Sequence, residues 1–545
     1  MAIAVPIPTP TVQGNGEAIV TDANAQSLSR ASGVVGAATL VSRILGYARD
    51  MIVASLFGAG LTADAFLLAF SIPNLLRRLF AEGTLSTAFV PVYSAFLAQE
   101  GRAAADRLAA STFKMLLFIL TALSFAGILL APVLVRLMAF GWTDMPEKLA
   151  LCVTLMRIMF PYVIFVGLVA LCMGILNVLH HFAAPALSPA FLNIGMIGAV
   201  GGAWWFSDNP AVQARWLAAG VVLGGMLQLV IQLPVLARKQ VRLIQPGLWH
   251  PGLKRIAMLM GPVLFGAAVY QINSLVVRLL ASSLPQGSVA YLYYADRLVQ
   301  FPLGVFGIAV ATAVLPALSH HAATGASEEL KHTFSYALRF VLFITLPAML
   351  GIIVLREPII RLLFERGAFD AYATRLTAGT LLYYGLGLWA FAAERIVLNT
   401  FYALQDTHTP VRIGIFVMAV HLLLCIVLLK PMQHDGLALA LSLSSSVNAA
   451  LLVRALRRRL GALGWRQIAW AAARSGLCAA LMGLAVWVLA QWRLAAPGAS
   501  RTALAGHLVL CIGAGVLIYG GLARVCRLSE LTDLLYFFRK RKPFR

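Results

Sequence analysis

The chain has 545 residues, of which 60% are hydrophobic and only 12% charged, with a mean hydropathy of +0.85. That composition lies far outside the range of a soluble enzyme of this length and defines an integral membrane protein. The formal charge of +22 would suit nucleic acid only on a soluble fold with a basic face, which this composition does not provide, so no nucleic-acid partner is expected.

Residues 1–29 contain Pro, Gly and Thr, carry no basic residue before Arg30 and have no apolar core ending in a small-residue cleavage site. They read as a disordered tail rather than a signal peptide. A bilayer crossing needs about 20 apolar residues. Such stretches follow at 33–57, 62–97, 109–140, 150–178, 186–206 and 213–237, and then at 255–282, 289–319, 333–355, 375–402, 411–430 and 435–456. Two more, at 467–490 and 503–525, precede a basic tail. The expectation is an all-α protein with fourteen transmembrane helices, divided into a tail (1–29), a first lobe (30–240), a second lobe (241–460), two further helices (461–525) and a basic tail (526–545).

An even number of crossings places both termini on one side. That side holds RKQVR, the run from Arg454 to Arg466 and the terminal RKRKPFR, more than half of the 43 Lys and Arg. The positive-inside rule makes it cytoplasmic, and the terminal basic run is placed to touch anionic phospholipid.

The chain also repeats. AFVPVYS at 88–94 returns as AVLPALS at 313–319, and ILNVLHHFAAP at 175–185 resembles VLNTFYALQDTHTP at 397–410, so that Asn177 corresponds to Asn399. Six intervening helices give both copies the same orientation, a parallel repeat about an axis along the membrane normal, with substrate expected between the lobes. The same offset sets Arg77 near Phe301, one turn from Arg297, whereas Arg43 and Arg49 have only Gln271 and Asn273 opposite them.

Charges inside the spans are the features that demand a function. At mid-membrane each costs about 2.5–3.5 kcal/mol, so Arg43, Arg49, Arg77 and Arg297 must face water or partners. Asp50, Glu82, Asp296 and Asp64 are nearby acids, too few to neutralise the arginines. Pro73 and the FAEG turn interrupt the second span, and Pro302 with Gly304 the eighth. Broken helices at that depth are tolerated where they line a wet cavity. Surplus Arg in such a cavity suits phosphate or carboxylate oxygens. There is no GxxxxGK[ST] motif, no Ser/His/Asp or paired-carboxylate pattern, and no CxxC or third ligand beside the His pairs at 180–181 and 320–321. An enzyme, an ATPase and a metal site are therefore not expected. Cys152, Cys172, Cys425, Cys478, Cys511 and Cys526 read as small core residues, and REPIIRLLFERGAF, from Arg356, as an amphipathic outer helix.

SRILGYARDMIVASLFGAG, followed by TADAFLLAFSIPNLLRRLFAEGTLSTAFVPVYSAF, resembles the MurJ/MviN family of lipid II flippases, as do YYADRLVQFPLGVFGIAVATAVLPALS and FYALQDTHTPV. The resemblance runs from about residue 30 to the fourteenth span. It implies the multidrug/oligosaccharidyl-lipid/polysaccharide exporter fold: two six-helix lobes around a central cavity, plus two helices bordering a groove for a polyprenyl tail. It also implies a bacterial inner-membrane protein that moves lipid II, the undecaprenyl-diphosphate-linked disaccharide pentapeptide, outward for peptidoglycan synthesis, with cell-wall synthesis or division proteins as candidate partners.

By the same resemblance Arg43, Arg49, Arg77 and Arg297 are the cavity arginines that hold substrate. Asp64 is the acid of the second helix, and Ser42, Asp50, Arg78, Glu82, Asp296 and Gln300 are supporting or gating residues. Gln300 departs from relatives with Glu there. The diphosphate is expected to bridge the four arginines and let the lobes rock; Glu394, Arg395 and Asn399 are candidates for coupling to a monovalent cation or proton. Membrane potential is the expected energy source. The competing readings are a flippase for another polyprenyl-diphosphate oligosaccharide, a drug exporter of the same fold, and a non-transporting scaffold.

Overall fold

A computed structural model describes residues 22–81, 84–494 and 500–540, with side chains described for 35–80, 85–261, 264, 271, 275–491 and 500–534. Every regular element among these residues is helical. The first half comprises α1 (Asp22–Phe57), α2 (Leu61–Ala81), α3 (Thr84–Gln99), α4 (Arg102–Met138), α5 (Pro146–Met159), α6 (Tyr162–Val178), α7 (Ala183–Phe206), α8 (Pro210–Val230) and α9 (Leu233–Arg238). The second comprises α10 (Pro251–Ser282), α11 (Ser288–Pro302), α12 (Ile308–Ala323), α13 (Ser327–Val354), α14 (Arg356–Leu363), α15 (Ala371–Gly385), α16 (Leu388–Ala403) and α17 (His408–Leu460). Then come α18 (Trp465–Leu494), α19 (Arg501–Val525) and α20 (Ser529–Lys540).

Local chemistry sets many of these boundaries. Asn209, Asp370 and Ser500 cap α8, α15 and α19, each side-chain oxygen accepting a backbone N–H of the first turn. Pro210 and Pro251 open α8 and α10, where a missing N–H costs nothing. Between α11 and α12, Leu303–Gly307 form a π-helical turn immediately after Pro302. This is the interruption that Pro302 and Gly304 predict, realised as a bulge in a continuing rod. α17 likewise joins two helices across Gln433, whose φ of 50° and ψ of −129° are non-helical.

Among the described residues ten helical units are long and apolar enough to cross a membrane. Their apolar sides are turned outward, with Phe118, Leu129, Val516 and Leu517 all at least 60% exposed. This is a multi-pass membrane protein, and lipid is the solvent for those faces. Four differences separate ten from the expected fourteen. α17 counts once although it bends at Gln433, and α1, the α2–α3 pair and α10 fall outside the ten. α1 carries Arg43, Arg49 and Asp50 in its apolar half.

One boundary is corrected. Helix α1 begins at Asp22, so residues 22–29, expected in the disordered tail, are helical. The basic tail from 526 includes α20, and Glu530 in it is buried in a 2.9 Å ion pair with Arg339 of α13.

The repeat appears as repeated packing. In the first half α2 lies against α5, α3 against α6, α4 against α3, and α1 against α7. In the second, α11 lies against α15, α12 against α16, α13 against α12, and α10 against α17. The two copies of the Pro-containing motif sit at equivalent places, Pro91 within α3 and Pro316 within α12. The halves meet through α10, which packs on α2, α3 and α4, and through α11 on α2. α18 packs on α13 and α19 on α18, around Phe343, Cys478, Met482 and Tyr519. α14 buries Ile360 and packs against α15 and α19; it is part of the bundle rather than a free surface helix.

Candidate functional site

Tyr293 and Arg297 are four residues apart on α11 and so share one face, which meets α1 at Tyr47 and Asp50. The Asp50 carboxylate is the meeting point. Its Oδ1 accepts Arg49 Nη2 at 2.7 Å and Nε at 3.0 Å, and the Tyr293 hydroxyl at 3.0 Å. Its Oδ2 lies 3.0 Å from Arg297 Nε. The remaining Arg49 nitrogen, Nη1, donates to Asn193 Oδ1 of α7 at 3.1 Å, and Asn193 Nδ2 donates to the Ser42 carbonyl at 3.1 Å. Tyr47 donates its hydroxyl to the Arg297 carbonyl at 2.9 Å. One carboxylate thus joins an arginine from each half of the chain.

Exposure separates the two arginines. The Arg49 and Asp50 side chains are 7% and 3% exposed, whereas Arg297 keeps 35%. A buried guanidinium is tolerated only with its charge and donors satisfied, and Asp50 with Asn193 satisfies this one. The expectation of four hydrated arginines forming one diphosphate-binding group therefore requires amendment at Arg49, which is enclosed and fully engaged here. Arg297 does pair with a carboxylate, but with Asp50 rather than its neighbour Asp296. Asp296 instead accepts a hydrogen bond from Gln300, one turn on.

Arg43 lies against Gly304 in the π-helical turn, closely enough that a Cβ there would collide with its guanidinium. Arg77 Nε donates to Asn74 Oδ1 on its own helix at 2.9 Å. Glu82 lies outside the described residues. Asp296 sits in the field of Arg297, Arg78 and Arg278, and Tyr47 in that of Arg43 and Arg297. Arg43, Arg49, Arg78, Arg278 and Arg297 thus face only two carboxylates, Asp50 and Asp296, among the described residues.

Asp64 builds a second junction. Its Oδ2 accepts Lys148 Nζ of α5 at 2.9 Å and the Gly287 amide at 2.8 Å, and its Oδ1 accepts the Ala290 amide at 3.1 Å. Those amides belong to the start of α11, where unsatisfied N–H groups and the helix dipole favour an anion. Lys148, 1% exposed, also lies 4.0 Å over the Trp142 ring. Close backbone approaches surround this junction: the Ala368 amide donates to the Ser55 carbonyl at 2.8 Å. Gly58, at φ +57°, faces the Ala368 carbonyl, where no Cβ would fit.

Glu394, Arg395 and Asn399 are engaged separately. Glu394 lies in the field of Asn448 and of Arg395, which is exposed, while Asn399 donates to the Ala311 carbonyl of α12 at 2.7 Å. Tyr293, Asn193 and Lys148 were not expected in these junctions. Only Tyr293 left a signal, its spacing of four from Arg297; Lys148 stood just outside an expected span, in what read as loop.

A membrane bundle whose halves repeat one packing pattern and are linked by a buried carboxylate that engages an arginine from each has the architecture of a two-lobed membrane transporter. The lipid II flippase MurJ family model matches residues 53–500. A probable lipid II flippase MurJ of Vibrio cholerae is 40% identical over 499 residues, 89% of this chain and 94% of the relative. The lipid II flippase MurJ of Burkholderia cenocepacia is 38% identical over 438 residues, 79% and 84% of the two chains. A solved lipid II flippase MurJ in an inward closed conformation superposes with a TM-score of 0.75 at 26% identity, covering 92% of this chain and 99% of that one. An inward-facing MATE family transporter of the MOP superfamily, 16% identical with a TM-score of 0.67 over 77% and 95% of the chains, shares the fold. The chain belongs to the MurJ lipid II flippase family.

Proposed function

We propose that this protein is a lipid II flippase of the bacterial inner membrane, moving the lipid-linked diphosphate head group outward by alternating access rather than by catalysis. The observation that carries the reading is the Asp50 junction: a single carboxylate links Arg49 and Arg297 across the halves, with Tyr47 bonded to the Arg297 backbone and in the field of Arg43. A diphosphate brings more negative charge and more acceptor oxygens than one carboxylate, so it competes for the half-exposed Arg297 and recruits Arg43 and Arg77 beside it. Binding that differs between the junction-closed and junction-open states is what shifts a transporter between them.

The Asp64 end is the outer end in this reading, and both termini are cytoplasmic. The fourteen-pass count follows if α17 crosses twice and α1, the α2–α3 pair and α10 each cross once. α18 and α19, with Leu481, Leu484, Val509 and Leu517 exposed, offer an apolar wall to the polyprenyl tail. The membrane potential, at about 2.3 kcal/mol per charge per 100 mV, is sufficient to reset a cationic cavity, and Glu394 with Asn448 is the candidate place for a coupling proton or cation.

The test is flipping of lipid II by the purified protein in liposomes. Wild type is expected to expose lipid II in the opposite leaflet, and Arg297→Ala to abolish this at unchanged protein level and fold. Equal flipping by Arg297→Ala, or flipping of other polyprenyl-diphosphate oligosaccharides in preference to lipid II, would overturn the assignment.

A further inference from the structure

A polar pocket separate from the Asp50 junction lies between α2 and α10. Ser71, Asn74 and Arg78 are spaced by three and four residues and line one face of α2; Gln271 and Arg278, seven apart, line the facing side of α10. Arg278 Nη1 donates to Ser71 Oγ, tying the two helices. Arg78 Nε is buried without a hydrogen-bond partner. The two guanidiniums lie in each other's field, as like charges from opposite halves of the chain. Among the described residues that line the pocket there is no carboxylate. Asp296, the acid whose field reaches both arginines, is also engaged by Arg297 and Gln300.

A pair of arginines held only for structure would be expected to have a carboxylate between them, because an unmatched buried charge is costly. Here the neighbours are instead a hydroxyl and two amides, which donate to oxygen as readily as they accept. Two planar forks with neutral donors around them are a receptor for an oxyanion and repel a cation.

We propose that the α2–α10 pocket is a second oxyanion subsite, in which Arg78 and Arg278 take a carboxylate or phosphate group of the translocated head group. The inference rests on the flippase reading and deepens it. The Asp50 junction lies between α1 and α11 and the pocket between α2 and α10, and Asp296 lies in the fields of both Arg297 and the Arg78–Arg278 pair; a head group carrying both a diphosphate and a peptide has oxyanions for each. The peptide carboxylates and the diphosphate are the two sources of such an oxyanion.

Binding to the full-length protein in nanodiscs separates them, with lipid II and undecaprenyl diphosphate as the two probes. Arg278→Gln retains a donor to Ser71 and loses the charge. It is expected to weaken lipid II binding about ten- to a hundredfold, the loss of charged hydrogen bonds. Weakening confined to lipid II identifies the peptide carboxylates, and equal weakening of both lipids identifies the diphosphate. Wild-type binding of both lipids by Arg278→Gln overturns the subsite. Wild type binding neither lipid overturns the flippase reading and the subsite with it. If Arg278→Gln does not fold, Arg278→Lys, which keeps the charge but loses the fork, decides on the same scale.

Discussion

Replacing Asp64 by Ala removes the acceptor for one ammonium and two backbone amides at once. Lys148 is 1% exposed, and breaking a buried pair by deleting one partner costs about 3–5 kcal/mol. The Gly287 and Ala290 amides, bonded at 2.8 and 3.1 Å, would each lose about 1–3 kcal/mol if left unsatisfied. The Trp142 ring 4.0 Å from Lys148 offsets at most about 2 kcal/mol of this. A net loss of about 3 kcal/mol or more remains, and at about 1.4 kcal/mol per factor of ten local opening becomes at least a hundredfold more frequent. Hydrogen exchange of the peptide spanning residues 286–292 is the assay, since it reports opening free energies region by region. Asp64→Ala is expected to lose protection there by that factor while the core of α6 keeps its own. Asp64→Ala with Lys148→Met, which also removes the stranded charge, should recover part of the protection. Unchanged exchange in Asp64→Ala, or a double variant no better protected than the single one, would refute the electrostatic account of this junction.

Two glycines should respond oppositely to a single methyl group. At Gly304 the Cβ would meet the mobile end of Arg43, so Gly304→Ala is expected to leave thermal stability nearly unchanged while flipping falls; at Gly58 the obstacle is the Ala368 carbonyl and φ is +57°, so Gly58→Ala should lower the melting temperature. In the loop before α17, the Thr409 amide, 3.0 Å from Asp406 Oδ1, together with the Thr409 hydroxyl and Arg459, holds the Asp406 carboxyl below its ordinary value. Its contribution is fully present above the ordinary carboxylate value of about 3.9 and disappears as pH falls through the lowered one. Exchange protection of residues 404–410 should therefore fall only below that range, and Asp406→Asn should flatten the dependence.

The sequence by itself determined that this chain lives in a membrane, that it is helical, and that its halves are copies. Those properties follow from composition, span length and motif recurrence, which are local or additive along the chain. It also located the charges that matter: Arg43, Arg49, Asp50, Asp64, Asp296 and Arg297 could be singled out because lipid makes an intramembrane charge conspicuous wherever it points. What it could not supply was the pairing. Asp50 lies beside Arg49 in sequence but also reaches Arg297, some 250 positions away, and Asp64 finds Lys148 and two amides of α11 rather than any acid–base neighbour on its own helix. Arg278 shows the same dependence, since facing α2 is what places it near Arg78. Coulomb and hydrogen-bond energies depend on separations of a few ångströms, and only the crossing of helices from the two halves fixes those separations. Whether an arginine was enclosed, as Arg49 is, or kept part of its surface open, as Arg297 does, was therefore decided by tertiary structure alone.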